Sequence, residues 1–124
     1  MTARDMQPTI SRQELAAARP GRQVQVTFEV LEVTALSGGE LLDGLIADPD
    51  PADPLTRYRR TAVPVRVRRG RDTPIVMGKP AHLTAGALLR AHGKLLPGGE
   101  IDAEIIAVLS RFATLHDQPD PGGT

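Results

Sequence analysis

Apolar and polar residues alternate with period two over several stretches of the chain, and each stretch predicts a strand. From Gln23 to Leu36, the positions Val24, Val26, Phe28 and Val30 alternate inward, and then the phase slips so that Leu31, Val33 and Ala35 take over. A slip of one residue sends side chains to the opposite face, so a β-bulge is predicted near Val30-Leu31. A second strand is expected from Glu40 to Ala47, interrupted by Gly44. A third runs from Thr61 to Arg69, with Val63, Val65 and Val67 inward and Pro64, Arg66 and Arg68 outward. Pro64 makes this an edge or bulged strand locally. The segment between them, DPDPADPLTRYRR (48–60), contains Pro49, Pro51 and Pro54. Proline cannot donate to a ladder, so the segment reads as a loop.

The clearest pattern is GALLRAHGKLLPGGEIDAEIIAVL, from Gly86 to Leu109. In its first half Ala87, Leu89, Ala91, Gly93 and Leu95 share one face, and Leu88, Arg90, His92, Lys94 and Leu96 the other. In its second half Ile101, Ala103 and Ile105 oppose Asp102 and Glu104. Pro97-Gly98-Gly99 between them supplies a tight reversal, because glycine reaches positive φ without steric cost. Ser37-Gly38-Gly39-Glu40 plays the same part after the first strand. The stretch from Gly70 to Gly86 is mixed: Ile75 and Val76 extend a strand, and Lys79 to Thr84 form a short helical turn.

The ends read differently. Ser11 and Glu14 form a capping box that opens a short helix, stopped by Pro20-Gly21;. Ser110 to Leu115 is expected as a closing helical turn, and HDQPDPGGT, from His116, as a disordered tail. The predicted organisation is an N-terminal tail and helix over 1–20, a barrel over 21–115 and a tail over 116–124.

The order is a long bulged strand, a glycine hairpin, a strand, a long loop, a strand, an irregular crossover and a final glycine hairpin. From about Gly21 to Leu109 the chain resembles the OB-fold, the five-stranded Greek-key barrel. The resemblance rests on MGKPAHLTAGALLRAHGKL, with its central His92-Gly93, followed by LLPGGEIDAEIIAVL. It implies an all-β, OB-fold-like five-stranded barrel. It also implies a ligand that is single-stranded nucleic acid, oligosaccharide or a docked protein.

Composition narrows the chemistry. The 124 residues make one domain with a modest core;. No apolar run approaches the roughly 20 residues that cross a bilayer, and the N-terminus lacks an apolar signal core. A cytoplasmic protein without a membrane partner is therefore expected. There is no cysteine, and the formal net charge is zero. The charges are nevertheless segregated. Arg57, Arg59, Arg60, Arg66, Arg68, Arg69 and Arg71 follow one another without an acid, after a stretch that holds Glu40, Asp43, Asp48, Asp50 and Asp53 without a base.

Two readings of the arginines follow. OB-folds usually bind nucleic acid on their second and third strands, so the resemblance puts guanidinium groups on that surface. On this reading the nucleic-acid-binding residues are Arg57, Tyr58, Arg59, Arg60, Arg66 and Arg68, extended by Arg90, His92 and Lys94. Tyr58 is the one plausible stacking group, because Phe28 is in phase with the core valines. On the other reading the arginines pair with the neighbouring acids as solvated surface charge. The expected function is a non-enzymatic module binding single-stranded nucleic acid through an Arg-rich third strand. The alternative is an assembly subunit that docks on a partner protein. No cofactor or metal is expected: His82, His92 and His116 fall in different elements without ligand spacing, and no nucleophile elbow is present. His116-Asp117 is similar to the corresponding pair of the haem chaperone of cytochrome c maturation, an OB-fold whose histidine follows its last strand and bonds haem, but the tyrosine that follows the pair in that family is missing.

Overall fold

A computed structural model describes residues 21–117. The helix expected from Ser11 and the tail residues 118–124 lie outside them. The strands are β1 (Gln23–Leu36), β2 (Gly39–Asp50), β3 (Asp53–Gly70), β4 (Ile75–Val76), β5 (Leu88–Leu95), β6 (Ile101–Val108) and β7 (Thr114–Asp117). Among the described residues, a single 3-10 turn, Pro80–His82, is the only helical element.

β1 pairs antiparallel with both β2 and β5, β2 with β3, and β5 with β6. β6 then returns to β3, with Val67, Arg68 and Arg69 parallel to Ile101, Asp102 and Ala103. The circuit β1-β2-β3-β6-β5 is a closed five-stranded barrel, and the fold is all-β as the alternation predicts. Closure pairs every long strand on both sides. The short strands β4 and β7 add in parallel to β6 and β3.

The bulge falls where the phase slip predicts it. β1 pairs with β5 as far as Glu29 and with β2 from Phe28 onward, and the β2 register shifts between Val30 and Glu32. Leu31 is the unpaired residue and is 51% exposed. Of the residues expected to turn inward after the slip, Val33 packs on the core, while Leu31 and Ala35 face solvent. The bend brings β2 so close that a Cβ on Gly44 would lie 2.1 Å from the Glu29 carbonyl oxygen. Only glycine fits there.

The inward residues meet in one core that includes Val26, Phe28, Leu42, Val67, Leu89 and Ile101. Each large aliphatic side chain contributes about 1.5–3 kcal/mol on burial. The final hairpin keeps the expected face in β5 but not throughout β6. A second bulge, opposite His92-Gly93, leaves Glu104 without a ladder partner. The inward phase therefore passes from Ala103 to Ile106 and Val108, and Ile105 is half-buried on the other face.

The largest departure from the sequence reading is at 48–60, which is strand rather than loop. β2 continues to Asp50 and β3 begins at Asp53, with Asp48 opposite Arg59 and Pro49 opposite Tyr58. The prolines are tolerated because none carries the barrel ladder. Pro49 sits beside a bulge, Pro51 in the turn, and Pro54 outside the paired positions;. Pro64 likewise neighbours the bulge between Leu45 and Ala47. The C-terminal segment also differs. The turn ends at Phe112, and Thr114–Asp117 form β7 along Arg57–Arg60, so His116 and Asp117 are in a strand. β7 and the outer halves of β2 and β3 make a three-stranded arm. A small second cluster of Ala47, Tyr58, Leu88 and Leu109, with Leu115 packed on it, joins the arm to the barrel.

Candidate functional site

Alternation along β3 sends Arg66 and Arg68 outward, and hairpin register sets acids beside them. Arg66 stands opposite Asp43, and its Nε donates to Asp43 Oδ1 at 2.9 Å. That bond makes the Arg66 guanidinium still harder to deprotonate. Arg68 lies 3.0 Å from Glu100, which follows the Gly98-Gly99 turn. Asp43, Arg66, Gly98, Gly99 and Glu100 line a groove of ≈ 250 Å³ between the β2–β3 face and the β5–β6 turn. Arg69, on the inward phase, is buried and reaches Glu40 at 3.2 Å. The Arg66 and Arg68 side chains are 55% and 50% exposed despite their partners.

The other candidates lie on the arm or beneath it. The Arg60 guanidinium donates to both oxygens of Glu29, at 2.5 and 2.8 Å. Glu29 is buried on the outer side of β1. A bidentate pair of this kind fixes geometry as well as charge. Arg59 donates to Asp50 at 3.3 Å. Asp50 is itself buried, accepts from the Ala52 amide at 2.9 Å and lies 3.4 Å from His116 Nε2. The Ala52 hydrogen bond, followed by Arg59, His116 and Arg57, holds the Asp50 carboxyl below the ordinary carboxylate value, against desolvation.

Tyr58 is not the stacking platform expected. It is 4% exposed, and its hydroxyl accepts from Arg90 Nη2 at 2.6 Å. Arg90 also donates through Nε to Thr27 Oγ1 at 3.1 Å. The ring faces of Tyr58 are therefore spent on the small cluster, and Arg90 is part of the same layer. Half-buried His92 and exposed Lys94 lie further along β5, opposite Gln25 and Gln23. Arg57 is exposed on the arm.

The nine residues thus divide among the groove, the arm and the outer face of β5, and do not form one surface. Sequence reasoning missed Glu29 and His116 as partners, and it left the acid that serves each arginine open. A signal existed for Asp43, which lies on the strand next to Arg66, but Glu29 and Arg60 are joined only by folding. Among the described residues no group of three or more His, Asp or Glu side chains is placed to hold a metal ion, and no helix is long and apolar enough to cross a membrane. No protein-family model matches the chain, and no curated protein matches it.

Proposed function

We propose that this chain is an OB-type barrel acting as a non-enzymatic binding module, and that its ligand is a partner protein. The closed circuit with one parallel closure, the bulged first strand and the two glycine turns support the OB reading;. The observation that carries the docking reading is that the arginines of the third strand from Arg59 onward already have partners. Arg59, Arg60, Arg66, Arg68 and Arg69 each meet a carboxylate, and Tyr58 is buried. A phosphate backbone would have to displace those carboxylates, in a molecule whose net charge is zero;.

The second reading, single-stranded nucleic acid along the groove, is favoured by the exposure of Arg66 and Arg68 on the face that OB-folds commonly use. One titration separates the two. A fluorescent oligonucleotide of about 16 nucleotides, the upper end of a single OB site, is expected not to bind at low salt. Binding that falls with a log–log salt slope near −0.7 per phosphate, and is lost in Arg66→Glu with Arg68→Glu, replaces the docking reading with the nucleic-acid one.

A further inference from the structure

Three features meet at the end of the arm. The first is an open edge. β7 pairs with β3 on one side and, among the described residues, has no ladder on the other. Such an edge offers amide and carbonyl groups to an extended chain.

The second feature is apolar. The β3–β7 ladder begins at Arg57 and Thr114, and Leu55 and Phe112 stand two residues before it on either side. They are 85% and 61% exposed, more than any other large apolar side chain among the described residues.

The third is charge. Arg57 and Arg111 flank these side chains, and among the described residues neither has a carboxylate at ion-pair distance. Arg59, Arg60, Arg66, Arg68 and Arg69 all do. The acids of the arm tip have nearer partners: Asp50, which feels Arg57 only from beyond ion-pair distance, is bound to Ala52, Arg59 and His116, and Asp53 accepts from the Thr56 hydroxyl.

Resting on the docking reading above, we propose that this end of the arm receives an extended segment of the partner protein in which apolar side chains stand next to carboxylates. The segment lies along β7 as an added strand. Its apolar side chains cover Leu55 and Phe112, and its carboxylates meet Arg57 and Arg111. Thr114 and Leu115 of β7 also border a cleft of ≈ 430 Å³, shared with Arg60 and Leu88, which gives side chains of the added strand room on the barrel side. A second copy of this chain fits less well. A symmetric contact through this end would set the same arginines against one another.

The test is selection of a random-peptide phage library against the full chain, followed by titration of the enriched peptides. Support comes from peptides that pair an aliphatic or aromatic residue with Asp or Glu, and that lose about tenfold or more in affinity for Phe112→Asp and for Arg111→Glu. Both positions are exposed, and thermal melts check that the variants fold; Leu55→Ser and Arg57→Gln take their place if one does not. Peptides indifferent to these substitutions, or no enrichment at all, overturn the site and leave the docking reading standing. A dimer dissolved by Phe112→Asp assigns the surface to a second copy, and peptide binding seen only after removal of residues 1–20 assigns it to the chain's own N-terminal segment. Either result overturns the proposal. Oligonucleotide binding, by contrast, overturns the docking reading itself.

Discussion

β3 is one strand with two different lives. From Thr61 to Gly70 it is a barrel stave: Val65 and Val67 are buried in the main core, and Arg66 and Arg68 face water. From Asp53 to Arg60 it leaves the barrel and becomes the middle strand of the arm, between β2 and β7. The stave is held by aliphatic burial. The arm is held by a small cluster around Tyr58 and by polar contacts to Glu29, Asp50, Thr27 and His116. A side chain's contribution therefore depends on which half it serves. Apolar truncations should dominate in the barrel, whereas broken hydrogen bonds and ion pairs should dominate in the arm.

The largest effect is expected in the barrel. Leu89 is fully buried, and Leu89→Ala should cost roughly 2–5 kcal/mol through lost burial and the cavity left behind. Denaturant melts measure it, and a cost below that of the arm variants breaks the comparison. In the arm, Glu29→Ala leaves the half-buried Arg60 guanidinium without its bidentate partner. That should cost about 1–3 kcal/mol, read in the same melts. Arg60 with Glu29 both replaced by apolar residues should recover part of the loss.

A pH series sharpens the same contrast. The folded Asp50 carboxyl titrates below its ordinary value of 3.8. The unfolded chain then binds the proton first, so the stabilisation is complete above that value and is lost as pH falls through the lower folded one. Asp50→Asn should flatten this acid limb of the stability curve. An acid limb of the same depth in the variant assigns it to other carboxylates. The smallest effect is expected at Asp102, exposed on the outer face of β6. Asp102→Ala should change stability by less than about 0.5 kcal/mol. A loss as large as that of Leu89→Ala would mean that the final hairpin is not half-buried in this phase.

Legibility followed the same divide. The span of β1, its bulge and the dry face of β5 were readable, because strict alternation around Val26, Phe28, Leu89 and Ala91 reports a buried face directly. In β6, Ile101 and Ala103 were read correctly but Ile105 was not. The bulge at Glu104 depends on pairing with His92 and Gly93, and the sequence of β6 alone shows no break. The arm was unreadable for a different reason. Pro49, Pro51 and Pro54 argue against a ladder, and the bulge and turn that accommodate them arise only once β3 pairs with both β2 and β7.

By itself the sequence determined an all-β chain, the inward valines of the first and third strands, the two tight turns and the charge segregation between Glu40 and Arg71. Each of these is local, since period two, proline and glycine act within a few residues. Only the tertiary structure decided that Arg60 would find Glu29, that Asp50 would sit between Arg59 and His116, and that Tyr58 would be buried under Arg90 instead of offered to a ligand. Alternation states which face a side chain takes, but not what waits there. The partner on that face comes from the closure of the barrel and the folding-back of β7, which join residues far apart in the chain.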